Sequence, residues 1–317
     1  MALLEINNLK KYFDVAAGTN HAVDDVSMKI ERGRTMGVVG ESGCGKSTLG
    51  RTVIRLQDVT SGQVLLDGED ITFAKRKDLR RLREKVSIIF QDPYSSLNPR
   101  MSVEETIREP LIESRKYTRA EISKRTEELM EMVGIEERLR MAYPHEMDGG
   151  RRQRVGIARA IALNPEFIVC DEPVSALDVS IQAQVLNLLM DLQEKIGLTY
   201  MFITHDLSVV RHISDDISVM YLGQLVETSR SQELFEKPLH PYTQALLSAI
   251  PSIDIDYPMS RIALKGEITS AINPEPGCRF ALRCPYVQDK CRKPQALEEI
   301  EPNHFVSCCR VREINEL

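Results

Sequence analysis

No run of eighteen apolar residues occurs in the 317-residue chain, so the sequence offers no helix long enough to cross a membrane. The opening stretch "MALLEINNLKKYF" lacks the layout of a secretory signal, which makes a cytoplasmic chain the expectation, peripheral to a membrane only where a partner holds it there. Positive charge is in deficit: 41 Lys and Arg against 47 Asp and Glu leave a net charge of -6. Such a chain has no global electrostatic reason to bind nucleic acid, and the basic run from Ala74 to Lys85 reads as a solvated helix face. No internal repeat and no low-complexity tract is present. Also missing is the C-x₂₋₄-C spacing common in zinc sites, although five of the seven cysteines fall between Cys278 and Cys309. A cytoplasmic address favours metal over disulfide for that group.

What is there is an alternation of short apolar runs with helical patterns. "RTMGVVG", "VSIIF", "FIVCD", "TYMFITH" and "DISVMYLG" read as buried strands, and "SIQAQVLNLLMDLQEKIG" as an amphipathic helix between two of them. The fold class expected is α/β, a mostly parallel sheet covered by helices. From about residue 94 to residue 164 helical patterns replace strands, which predicts a helical insert. After about Lys237 the texture changes to a segment with prolines at 238, 241, 251, 258, 274, 276, 285, 294 and 302 and all the clustered cysteines. The expected domains are therefore residues 1–235 and a small Cys-rich extension, residues 236–317.

The stretch from Gly40 to Thr48 fits G-x-x-x-x-G-K-[ST] between a strand and a helix, the context in which this pattern holds phosphate. Its members Gly40, Ser42, Gly43, Cys44, Gly45, Lys46, Ser47 and Thr48 are candidate nucleotide contacts. The glycines let backbone N–H groups converge on phosphate oxygens at a helix start. Lys46 would neutralise the β- and γ-phosphates, and Ser47 would ligand Mg²⁺. Cys44 fills a variable position, and Cys170 reads as core packing. "FIVCDEP" ends a buried strand in two carboxylates: Asp171 to hold Mg²⁺ and Glu172 to act as general base on water. His205, at the end of the next strand, could hold that water in line.

The order of these motifs, with Gln91 closing "VSIIFQDP", "MDGGRRQR" ahead of the carboxylate strand, and then "SALD" and "ITHD", resembles the ATP-binding subunits of ABC transporters. The resemblance implies a P-loop NTPase core of the ABC type and ATP with Mg²⁺ as cofactors. It implies that Phe13, better placed than Tyr12, stacks on adenine, and that Gln91 touches Mg²⁺ and couples the site to the helical insert. By the same likeness Asp148, Gly149, Gly150 and Arg151 form the signature loop that grips ATP on the other subunit of a head-to-tail dimer. Asp178 would communicate between the two sites. Asp148 and Arg151 stand where the family pattern Leu-Ser-Gly-Gly-Gln has Ser and Gln, a departure that points to a non-identical ATPase partner.

"KPLHPYTQALLSAIP", "GCRFALRCPYVQDKC" and "HFVSCC" look like the extension of dipeptide and oligopeptide importers, a group that includes nickel importers. That likeness implies two transmembrane permease subunits, an extracellular peptide-binding protein and no nucleic acid. It also implies a [4Fe–4S] cluster on Cys278, Cys284, Cys291 and Cys308, with Cys309 a spare thiol. Spacing alone does not separate iron from zinc. The alternatives are the same engine in a nickel importer, and a soluble ABC ATPase acting on DNA or ribosomes. The second often carries two nucleotide domains in one chain or a long insert, and neither occurs here.

Overall fold

The computed structural model describes residues 2–250, 262–264, 266 and 270–317. Pro251 and Pro258 lie outside them. Along the chain run β1 (Ala2–Val15), β2 (Gly18–Glu31), β3 (Thr35–Val39), α1 (Lys46–Val53), β4 (Ser61–Leu66), β5 (Glu69–Asp70), α2 (Arg76–Lys85) and β6 (Val86–Ile89). Then come α3 (Pro93–Ser96), α4 (Val103–Ser114), α5 (Arg119–Met132), α6 (Gly149–Ile161), β7 (Phe167–Asp171), α7 (Val179–Ile196), β8 (Thr199–Thr204) and α8 (Leu207–Ile213). The last elements are β9 (Asp216–Tyr221), β10 (Gln224–Arg230), α9 (Ser231–Glu236), α10 (Pro241–Ser248), β11 (Glu298–Glu301), β12 (His304–Val306) and α11 (Val311–Ile314). The chain divides into two compact units: residues 31–34 with 74–202, and residues 2–30 with 35–73 and 203–317.

The first unit holds the helical stretch. Helices α4 and α5 both begin in reciprocal capping boxes, Ser102 with Glu105 and Thr118 with Glu121, which satisfy donors that a helix start otherwise leaves open. Helix α6 packs on α3, α4, α5 and α7. Strand β7 is buried at every position and pairs in parallel with β6, Val86 opposite Phe167 and Ile89 opposite Cys170. Burial on both faces is why its sequence reads as a continuous apolar run.

In the second unit, β2, β1, β4 and β5 make an antiparallel sheet in that order. A further run of strands, β11-β12-β10-β9-β3, joins β3 and β9 in parallel and the others antiparallel. The C-terminal segment thus continues a sheet edge: Phe305 and Val306 pair with Thr228 and Glu227 of β10. Glu227, fully buried, accepts hydrogen bonds from the backbone N–H groups of Leu239 and His240 at 2.7 and 2.9 Å and contacts His304 Nε2 at 2.7 Å. Leu239, Val306 and Val311 close a small apolar core with Ile300 and Cys308. The returning chain also bonds to β2, where His21 donates to the Ala271 carbonyl and Asn273 donates to that of Thr19.

Candidate nucleotide site and cysteine cavity

Strand β3 delivers the chain into the loop Gly40–Gly45, from which α1 starts. Gly45 takes φ 108°, and a Cβ there would lie 2.0 Å from the Ala22 carbonyl oxygen, so only glycine fits. As the residue before α1, Gly45 supplies no side-chain cap to the helix start. Lys46 is buried, and its ammonium donates to the carbonyls of Gly40 at 2.8 Å and Glu41 at 3.0 Å. Burial pushes the Cys44 thiol pKa up against the pull of Lys46, which keeps Cys44 a neutral packing group. Of the two aromatic candidates, Tyr12 stacks on His21 with ring centroids 4.0 Å apart and donates its hydroxyl to Asp24. Phe13 lies under the Lys11 ammonium, 4.6 Å from the ring centroid.

The carboxylates sit in the other unit. Asp171 ends β7 and is buried; Glu172 follows with φ 49°, a left-handed conformation that a non-glycine residue seldom takes. Gln91, one residue beyond the Ile88–Phe90 run, donates from Nε2 to Glu172 Oε2 at 2.9 Å. The glutamine and the general-base candidate therefore form one pair, a contact that the motif order did not reveal. His205 follows β8 and is exposed.

Helix α6 starts at the Gly-Gly stretch. Asp148 precedes it in extended conformation and accepts from the Arg151 N–H at 2.8 Å, a side-chain cap. The Arg151 guanidinium lies 3.5 Å from both Asp148 and Glu136. Glu136 is held more closely by Arg138, at 2.6 Å, so two arginines face these two exposed carboxylates. Gly150 has a packing reason as well: a Cβ there would lie 2.6 Å from Ile181 Cγ2. Asp178 occupies the N-cap of α7 without a side-chain capping bond.

Cys278, Cys284, Cys291, Cys308 and Cys309 all line one cavity, with His240, Phe280 and Arg310. Burial pushes the Cys278 thiol up to about 12 and raises Cys284 and Cys308 as well. Cys309, which the family likeness leaves spare, faces the same cavity with its sulfur 3.9 Å from that of Cys291. Among the described residues no group of three or more His, Cys, Asp or Glu side chains is arranged to hold a metal ion.

Beyond the motifs, two arginines of the cysteine segment reach the loop and β2. Arg279 pairs with Asp24, and Arg283 pairs with Glu41. Together with Tyr12 and His21, Arg279 holds the Asp24 carboxyl below its usual range although burial pulls the other way. Neither arginine belongs to a recognisable pattern, and the only sequence signal is that each stands next to a clustered cysteine.

Residues 23–175 match the ABC transporter family, and residues 226–291 match the oligopeptide/dipeptide transporter C-terminal region. Over 317 aligned residues the chain is 50% identical to the oligopeptide transport ATP-binding protein AppF of Bacillus subtilis, covering 96% of each chain. The chain belongs to the oligopeptide group of ABC-transporter ATP-binding proteins. Identity to OppF of the same organism, another oligopeptide transport ATP-binding protein, is 51%, with 96% of each chain covered. A putative oligopeptide transport ATP-binding protein, YkfD, also from that organism, is 52% identical over 97% of this chain and 95% of its own. Among solved structures, cbiO1 of Clostridium perfringens superposes with TM-score 0.67 at 30% identity over 74% of this chain and 91% of that one. The cassette MJ0796, described as a dimer in a post-hydrolysis state bound to ADP and Pi, gives TM-score 0.66 at 30% identity over 72% and 98%. The subunit is thus an ATPase of mixed α/β ABC fold, with ATP and Mg²⁺ expected at its site. Among the described residues no helix is long and apolar enough to cross a membrane.

Proposed function

We propose that this subunit hydrolyses ATP to drive import of dipeptides or oligopeptides, working on the cytoplasmic face of the membrane beside two permease subunits, an extracellular binding protein and a second, non-identical ATPase. The observation that carries the cargo class is the match of residues 226–291 to the peptide-transporter C-terminal region, joined to half-identity with oligopeptide transport proteins along almost the whole chain. In this reading Lys46 and the N–H groups of the Gly40–Gly45 loop hold the phosphates, Ser47 and Asp171 serve Mg²⁺, and Glu172 accepts the proton of the attacking water. The Gln91–Glu172 hydrogen bond gives the glutamine just ahead of the insert a direct hold on the base. Phe13 or Tyr12 stacks on adenine, and His205 steadies the water.

The capped, acidic start of α6 supports the unequal pair. An ionised Asp148 accepts and cannot donate, so ATP on the partner's phosphate loop, facing Asp148, is held but turned over slowly. ATP on Lys46, facing the partner's signature, is the one hydrolysed.

For the cysteine segment, Cys278, Cys284, Cys291 and Cys308 would hold a [4Fe–4S] cluster. Such a cluster takes four Cys thiolates, and the support for it here is that these four cysteines, with Cys309, line one cavity. The cluster would staple a segment too small to build a large core.

Purified transporter in liposomes, with binding protein outside and ATP inside, tests the function. Labelled oligopeptide should accumulate and Ni²⁺ should not. Glu172→Gln should keep nucleotide binding and cut turnover by about 10²–10⁴-fold. Nickel uptake without peptide uptake would transfer the engine to the other cargo.

A further inference from the structure

Glu41 is an odd residue to find in a phosphate-binding loop, because it sets a carboxylate one residue after Gly40, where anionic oxygens are to be gathered. Its charge is taken up from the cysteine segment. Arg283 meets it with two parallel bonds, Nη1 to Oε2 at 2.7 Å and Nη2 to Oε1 at 3.1 Å, with the arginine side chain 8% exposed. The backbone of Glu41 is held as well: its N–H donates to the Tyr242 hydroxyl at 3.0 Å, and its carbonyl accepts from Lys46 at 3.0 Å. Tyr242 is buried edge-on to Tyr221, and Phe280 packs against both rings. Arg283 precedes Cys284 directly, and both Tyr242 and Arg283 come from the chain after residue 237.

We propose that Arg283 is a positioning residue of the nucleotide loop, turning the Glu41 carboxylate away from the phosphates and neutralising it, so that the cysteine segment sets this site's affinity for ATP. The proposal rests on Gly40–Thr48 being the ATP site. A planar, two-pronged guanidinium–carboxylate pair fixes direction as well as charge, which an ammonium cannot do. Freed of Arg283, the carboxylate would stand beside the oxygens that Lys46 has to hold, and the two negative groups would repel.

The test is titration of the full-length chain with a fluorescent ATP analogue, with folding followed by circular dichroism. Arg283→Gln should weaken nucleotide binding about tenfold, the scale of a lost charge-assisted bond. Adding Glu41→Gln should restore affinity to within about twofold of the unaltered chain, because the unpaired charge is then gone. A residue that merely braced the segment would not be rescued this way. Should Arg283→Gln not fold, Arg283→Lys keeps the charge and loses the fork; a loss of about threefold, again recovered with Glu41→Gln, is expected. Unchanged affinity in the folded single variant, or a double variant no better than the single, overturns the proposal. Lys46→Ala is the separate control: wild-type affinity there would remove the loop as the ATP site and leave the Arg283 result to be read on its own.

Discussion

Two helices of this subunit start at glycines, and they treat the same electrostatic opportunity in opposite ways. Helix α1 follows Gly45 with no side-chain cap, and the Lys46 ammonium beside it rests on the loop carbonyls of Gly40 and Glu41. Helix α6 follows Asp148, whose carboxylate takes the Arg151 N–H and brings its own negative charge. Both starts carry the positive end of a helix dipole, yet one has no side-chain cap and the other already carries a carboxylate. A glycine-rich helix start is therefore an offer of donors whose use depends on the residue at the cap.

The sharpest way to break the contrast is at α1. Lys46→Ala should reduce nucleotide affinity about a hundredfold, since the phosphates lose a charge and its bonds, and a nucleotide titration of the isolated chain reads it. Next is the packing under α6. Gly150→Ala puts a methyl 2.6 Å from Ile181 Cγ2 and should cost about 1–3 kcal/mol of stability, visible as a lower denaturation midpoint, while the chain's own nucleotide affinity stays put. A wild-type midpoint would mean that Ile181 yields freely. Smaller again is Asp148→Ala, which removes the cap and should cost about 1 kcal/mol; a stabilised variant would show that the acid is held against its own charge for a functional reason alone. The smallest effect expected is a few-fold rise in hydrolysis at the partner's site when Asp148→Ser and Arg151→Gln are combined in the assembled transporter. If a transporter whose partner lacks its own catalytic glutamate is inert, the working site is the partner's and the assignment of the two sites reverses.

The five strands expected from apolar runs are β3, β6, β7, β8 and β9; burial on both faces leaves continuous signals such as "FIVCD", and only β6 is half-buried in its middle. The antiparallel sheet of β1, β2, β4 and β5 went unread because its longer strands mix charged and polar residues with the apolar ones, as in "INNLKKYFDV", and β5 is two exposed acids. Strands β11 and β12 are four and three residues long and reveal themselves only through their pairing with β10. Within the site, the residues that carry motif spacing were legible. Gln91 on Glu172, Arg283 on Glu41 and Arg279 on Asp24 were not, because each joins positions 81 or more apart in sequence and leaves no local pattern.

The buried Glu227 makes the tail inseparable from the engine. One carboxylate on β10 serves the linker, through Leu239 and His240, and the last strand, through His304. A chain cut before residue 304 would strip one hydrogen-bond partner from that carboxyl group in a dry interior, a loss of about 1–3 kcal/mol. Trimming this subunit to the length of a bare nucleotide cassette, or grafting its extension onto another one, therefore has to move Glu227 along with the graft or replace it. The unit of exchange among such proteins is set by where the buried acid finds its partners, the last of them 77 residues downstream, rather than by where the cassette motifs stop.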